Sequence, residues 1–239
     1  MQMNPGCGLL RFLRRSYSAQ SEIFDRLLKT RQRNNFLTNS ESEYYDYIRV
    51  ETASRLVDRL DDISRTFPRA LDLGCHRGHI LKSILKESDG REQVLGGITS
   101  LVQTDISENA CRIASQLGDS QTRLMIQTQV VDEEFLPFDD SSFDLVMSSM
   151  VMHWINDIPL FLRQVRKILK PDGAFIGSML GGSTLQELSH CFYLAEQERN
   201  GGFSPHCSPF AAPSDVASLM QAAGFNLPTI DVDTLTVRF

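Results

Sequence analysis

The feature that most constrains this chain is a short apolar run that ends in a glycine turn and passes directly into a helical pattern. Ala70-Leu71-Asp72-Leu73 reads as a strand, Gly74-Cys75-His76-Arg77-Gly78 as a tight turn, and His79-Ile80 as the opening of a helix. Gly74 lacks a Cβ and lets the backbone turn sharply, while Gly78 permits close packing at the helix start. Backbone N–H groups at such a start can face a polar ligand. A glycine pair after one strand is a weak signal, and its weight comes from the pattern downstream. Further strand patterns fall at 101–104, 125–130, 145–148, 174–179 and 229–238, separated by helical patterns at 79–86, 108–117, 159–169, 184–199 and 213–223. Alternating strands and helices predict a mostly parallel sheet covered on both faces. Lys170-Pro171-Asp172-Gly173 predicts a helix stop and turn before the fifth strand.

Polar residues gather where the strands end. Asp105 closes the second strand, where a carboxylate can accept hydrogen bonds from both hydroxyls of a ribose. The alternative is a helix-cap role, although Ser107 can cap the next helix itself. Asp132 and Glu133 follow the third strand and either reach an adenine amino group or form a solvated acidic turn. His153 and Trp154 follow the fourth strand, on the side of the sheet where ligands bind. His153 suits a general base or a group that orients a guanidinium. Trp154, the single tryptophan, suits stacking on an arginine. The competing reading packs Trp154 in the core and leaves His153 as a bonded surface residue. His206, in the proline-bearing segment Pro205-His206-Cys207, is a third candidate, in a loop that is either structural or functional.

Bulk properties narrow the classes. The 239 residues suffice for one sizeable α/β domain, and 41% hydrophobic residues is ordinary for a globular chain. A net charge of -6 argues against a nucleic-acid partner. The five cysteines form no C-x-x-C pair, which predicts buried thiols in a reducing compartment and no metal ligands. No apolar run approaches the roughly 20 residues that span a bilayer. Residues 1–20 hold Arg11, Arg14 and Arg15 among Leu9, Leu10, Phe12 and Leu13, with no acid. That composition predicts a mitochondrial transit peptide over 1–17, cleaved after Tyr17. Next come a basic helix over 23–33, turning Ile23, Leu27 and Leu28 inward, and a polar linker over 34–43. A helix over 44–63 leads into the main domain, so the expected units are 1–17, 18–43 and 44–239.

Together these residues resemble the class I S-adenosylmethionine (SAM)-dependent methyltransferases. The resemblance runs in order through Leu71-Asp72-Leu73-Gly74-Cys75, Asp105-Ile106-Ser107, Leu136-Pro137-Phe138 with Phe143-Asp144-Leu145-Val146, and Leu169-Lys170-Pro171-Asp172-Gly173. It implies a Rossmann-like methyltransferase fold that binds SAM through Asp72, Gly74, Cys75, His76, Gly78, Asp105, Ile106, Asp132, Glu133 and Ser148. A narrower resemblance runs through Ile23-Phe24-Asp25-Arg26, Asp132-Glu133-Glu134-Phe135, His153-Trp154, Gly181-Gly182-Ser183-Thr184 and the stretch from Gly201 to Phe210. These segments are similar to a family of mitochondrial complex I assembly factors, relatives of the malonyl-carrier methyltransferases. That family is understood to hydroxylate an arginine in an iron–sulfur subunit of complex I. The resemblance therefore implies that subunit and other assembly factors as partners, and the matrix or the matrix face of the inner membrane as location. Methyl transfer and non-catalytic assembly are the alternative activities. The oxidant is not implied, because SAM is not one, and no plain His-x-Asp…His iron pattern is present.

Two departures stand out. His76 occupies the middle glycine of the family's Gly-Cys-Gly-x-Gly loop, where a left-handed backbone would cost a non-glycine residue on the order of 1 kcal/mol. Its side chain turns either toward the cofactor or harmlessly outward. The sequence also stops at Phe239, so the resemblance predicts a shortened chain without the usual last antiparallel strand. Residues 90–100 are expected to form an inserted loop.

Overall fold

The computed structural model describes residues 23–90, 92–117, 124–202 and 208–237. The expected transit peptide and His206 lie outside them. Five strands, β1 (Arg69–Leu73), β2 (Ser100–Asp105), β3 (Met125–Val130), β4 (Phe143–Ser149) and β5 (Leu169–Ser178), form one sheet in the order β3-β2-β1-β4-β5. Every pairing is parallel. The strand order reverses beside β1, and such a switch point places a crevice at the carboxyl ends of β1, β2 and β4.

Side-chain alternation assigns each face its cover. Ala70, Leu101, Leu145 and Met147 face α2 (Tyr47–Asp61) and α3 (His79–Glu87), where Leu56, Val57, Leu60, Ile80 and Ile84 complete one core. Leu71, Leu73, Phe143 and Val146 face the opposite way, onto Phe161, Leu162 and Val165 of α5 (Ile158–Ile168). The crossover after β2 is α4 (Glu108–Ser115), capped by the Ser107 side chain, which accepts from the Ala110 amide. The later helices are α6 (Gln186–Asn200) and α7 (Pro213–Ala222), and α7 packs Leu219 and Met220 against the second core.

Three expectations need correction. The linker over 34–43 is not a loop. The first helix, α1 (Arg26–Thr38), runs through it and is followed by a 3-10 turn, Ser40–Tyr45. Asp25 and then Asn39 accept backbone N–H groups at the two helix starts, so polar residues read as a linker serve as caps. The strand expected over 229–238 is absent among the described residues, where 225–237 carry no regular structure. Asp231 and Asp233 instead pair with Arg59 and Arg55 of α2, so this segment lies along α2 and leaves β5 at the sheet edge. Finally, the turn at Lys170-Pro171-Asp172-Gly173 does not precede the fifth strand but bulges within it, with Asp172 at φ 61° and a register shift between Phe143 and Leu145 opposite.

Candidate cofactor cleft

β1 delivers its glycine turn to the crevice. Gly74 has φ 77°, and a Cβ added there would meet Cγ2 of Val151 at 2.1 Å. The position therefore needs glycine on two counts, backbone conformation and space. Gly74 and Cys75 donate to the Thr104 carbonyl at 2.7 and 2.8 Å, which locks the turn against the end of β2. Gly78, at φ 69°, opens α3 and makes room for the Leu117 side chain. Asp72 and Cys75 are buried beneath the turn. Burial and the nearby charge of Asp105 push the Asp72 carboxyl up to about 8, partly offset by the Gln103 amide. The Cys75 thiol is pushed up by its hydrogen bond with Cys111 and by burial.

Asp105 ends β2 beside this turn and is fully buried. Its Oδ2 accepts the backbone N–H of His76 at 3.0 Å, and its Oδ1 accepts that of Ser107 at 2.8 Å. Ile106 is buried beside it. Glu133, also fully buried, and Asp132, partly exposed, follow β3. Ser148 does not face the cleft as a free donor, because its hydroxyl donates to the Leu73 carbonyl and ties β4 to β1. His76 holds a left-handed backbone at φ 51°, the conformation the departure from glycine made costly, and its buried ring faces His79, with ring centroids 5.5 Å apart. His153 is buried, and its Nδ1 accepts the Leu180 N–H at 3.4 Å. Burial and the positive charges of Arg49, Arg33 and Lys29 lower the His153 imidazole to about 3. Trp154 does stack on a cation, but the cation is Lys29 of this chain, whose Nζ lies 3.5 Å from the ring centroid.

The residues that organise the cleft most were not anticipated from sequence. Arg33 donates from Nη1 to Asp105 at 2.8 Å and to Glu133 at 2.9 Å. Arg26, itself buried, donates to Asp132 at 2.7 Å, to Glu133, and to the Trp154 carbonyl at 3.2 Å. Arg26 and Arg33 are seven residues apart, two helical turns, so they share one face of α1. That spacing was the available signal. The expectation that Ile23, Leu27 and Leu28 turn inward is corrected here: all three are exposed, and the inward face of α1 carries Arg26 and Arg33, drawn in by the buried acids. Burial works against charge on Glu133, yet Arg33 and Arg26 outweigh it and hold the carboxyl below its ordinary value. Asn156 fixes the arm before α1 by accepting from the Ile23 and Phe24 amides at 2.9 and 2.8 Å.

The donor set suits an adenosyl ligand: a carboxylate at the end of β2, acids after β3 and a glycine turn between. The space is closed in this conformation. The cavity beside the turn, between Asp72, Gly74 and His76, has a volume of about 10 Å³, against the several hundred that small-molecule pockets occupy. Arg33 occupies Asp105, the carboxylate expected from the sequence to take a ribose.

The parallel sheet, its switch-point cleft and these acids define a class I methyltransferase fold. The chain belongs to the methyltransferase-domain family, whose model matches residues 15–229. It is 45% identical over 227 residues to "Arginine-hydroxylase NDUFAF5, mitochondrial" of Danio rerio, covering 94% of this chain and 66% of that protein. To the Homo sapiens protein of the same name it is 47% identical over 217 residues, covering 91% of this chain and 59% of that one. The chain therefore spans about three fifths to two thirds of these relatives' lengths. Among solved structures it is similar, with a TM-score of 0.61 and 18% identity, to a chain of the complex between the Haloferax volcanii Trm112 methyltransferase activator and a methyltransferase, covering 85% of this chain and 83% of that one. No helix among the described residues is long and apolar enough to cross a membrane.

Proposed function

We propose that this protein acts in the mitochondrial matrix, or at the matrix face of the inner membrane, as an arginine hydroxylase that assists complex I assembly. Its partners on this reading are an iron–sulfur subunit of complex I and other assembly factors. The observation that carries the proposal is the 45–47% identity to mitochondrial arginine hydroxylases over 91–94% of this chain. The 1–17 segment is read as the import signal, and 44–239 as the methyltransferase-like domain.

SAM is the proposed cofactor, with the Gly74 turn, Asp105 and the acids Asp132 and Glu133 as its seat. When bound, it supplies an activated methyl group and no oxidant. Asp105 and Glu133 are already ion-paired, so binding requires Arg33 to withdraw. His153, neutral and buried at the end of β4, is the proposed proton acceptor or orienting group, and Trp154 the stacking surface for an incoming guanidinium. The test is mass spectrometry of complex I subunits from cells with and without this protein. Loss of one oxygen's mass from an arginine is the expected result, and an unchanged set of arginines overturns the reading.

The closed cleft favours one second reading, a non-catalytic assembly protein that keeps the fold as a platform. Asp105→Ala separates the two readings: a catalytic role fails with it, whereas a platform role persists. Loss of a methyl group's mass instead of an oxygen's would assign methyl transfer.

A further inference from the structure

Among the described residues, one group of three side chains brings metal-ligating atoms together: Asp46, His76 and His79. Asp46 directly precedes α2, His76 lies in the glycine turn, and His79 is the first residue of α3. Nδ1 of His76 lies 3.8 Å from Oδ1 of Asp46, and Nε2 of His79 lies 3.6 Å from Oδ2. The three residues are only 1%, 4% and 7% exposed. Neither Asp46 oxygen, nor Nδ1 of His76, nor either nitrogen of His79 has an aligned hydrogen-bond partner. Buried polar atoms are nearly always satisfied, and although Asp46 has ion-pair neighbours, the unpartnered ring nitrogens of His76 and His79 beside it point to a missing partner.

The spacing identifies the partner. Metal–ligand bonds of about 2.0–2.2 Å at tetrahedral angles separate neighbouring ligand atoms by about 3.4 Å. The observed 3.6 and 3.8 Å, to the two different oxygens of Asp46, lie near this value, and one ligand atom from each of the three residues falls within 4.8 Å of the others, so binding an ion draws the three together. The cavity of about 10 Å³ beside His76 and His79 is roughly the volume of one water-sized sphere. Arg77 Nε lies 2.8 Å from Oδ2 of Asp46 and Arg49 Nε 3.7 Å from Oδ1. As neighbours of a ligating carboxylate they orient it, and as cations they disfavour a hard ion held by charge alone. Two imidazoles and one carboxylate suit an ion that bonds well to nitrogen.

We propose that Asp46, His76 and His79 bind one divalent first-row transition ion of the imidazole-preferring class that includes zinc, cobalt(II) and iron(II). The site shares the His76 turn and its small cavity with the proposed cofactor cleft, so the test reads ion uptake directly, with no adenosyl ligand present.

The test uses the full chain, stripped with a chelator and titrated with cobalt(II) and then zinc(II), followed by calorimetry and the visible spectrum of the cobalt form. One equivalent should bind, with the spectrum of imidazole-ligated cobalt. His76→Gly removes a ligand at a position whose φ of 51° suits glycine, so the fold is retained, as circular dichroism would verify. Its affinity should fall by at least about 100-fold, the upper end of what loss of an outer partner alone costs. Asp46→Asn should weaken binding in the same direction, while replacement of the exposed His190 should leave it unchanged. Failure of the wild-type chain to take up either ion, or unchanged affinity in His76→Gly, overturns the proposal.

Discussion

Arg33 bridges to Asp105 across the mouth of the cleft, its Nη1 2.8 Å from Oδ1. The same nitrogen lies 2.9 Å from Oε1 of Glu133, so one guanidinium joins the ends of β2 and β3. Burial opposes the charge on Arg33, but Asp105 and Glu133 more than restore it and hold the group protonated. On the proposed reading, a nucleoside and this arginine compete for the same carboxylates. The arm that carries Arg33 thereby acts as a strap across the cleft.

Arg33→Gln should divide the two consequences of that pairing. Without ligand, Asp105 and Glu133 lose a buried counter-ion, and removing one partner of such a pair typically costs about 3–5 kcal/mol. The retained Arg26 contact to Glu133 places the expected loss at the lower end. Affinity for S-adenosylhomocysteine should rise, because the ribose no longer displaces a cation. Chemical denaturation and calorimetry measure the two effects, and weaker nucleoside binding would make Arg33 part of the ligand's own seat.

Gly74→Ala should destabilise the protein by about 2–4 kcal/mol, combining a left-handed backbone with overpacking. The added Cβ meets Cγ2 of Val151 at 2.1 Å. Val151→Ala removes that atom, so the double variant should recover the steric part and keep the backbone part. Additive losses in the double-mutant cycle would show that Val151 moves aside freely.

The sheet was legible because its inner strands are short apolar runs, and a parallel sheet follows from their alternation with helices. The position of Asp105 was legible for the same reason, since it is set by the end of a strand, whereas its partner Arg33 was not. Arg26 and Arg33 were not, because a basic amphipathic segment looks alike whether its charges face water or buried acids, and only the acids' positions decide. Asp46 lies thirty residues before His76 in sequence, so the cluster they form with His79 depends on how α2 docks on α3. The 229–238 pattern failed as a strand because alternation specifies a face, not a partner, and the partners on hand were the arginines of α2.

Asn156→Ala should loosen the arm without unfolding the domain. Asn156 accepts from two amides of the arm and donates from Nδ2 to the Phe24 carbonyl at 3.0 Å. Each such bond contributes about 0.5–1.5 kcal/mol net. The loss falls on local opening of 23–38, so hydrogen exchange there should quicken while protection in β1 and β4 holds. Equal acceleration in the strands would show that the arm and the sheet unfold as one unit.

Stability should fall as pH drops below about 6.5, the ordinary histidine value. Burial first, then the charges of Arg49, Arg33 and Lys29, lowers His153 to about 3, so it stays neutral in the folded chain while the unfolded chain protonates. Between these values the unfolded state binds more protons, stability rises with pH, and the contribution is complete above the unfolded value. His76, lowered chiefly by burial and then by Arg49, adds a slope of the same sign. Asp72, raised to about 8 by burial and Asp105, contributes the opposite slope, because it is neutral when folded and ionised when unfolded over that range. The net slope of the wild-type chain is therefore muted, and the comparison that isolates His153 is with His153→Gln. Urea denaturation between about pH 5 and 6.5 should show the variant losing less stability on acidification, by roughly 1 kcal/mol per pH unit. Parallel curves for the two chains would mean that His153 titrates alike in the folded and unfolded chains, and its assignment as an imidazole held neutral by burial would fall with that result.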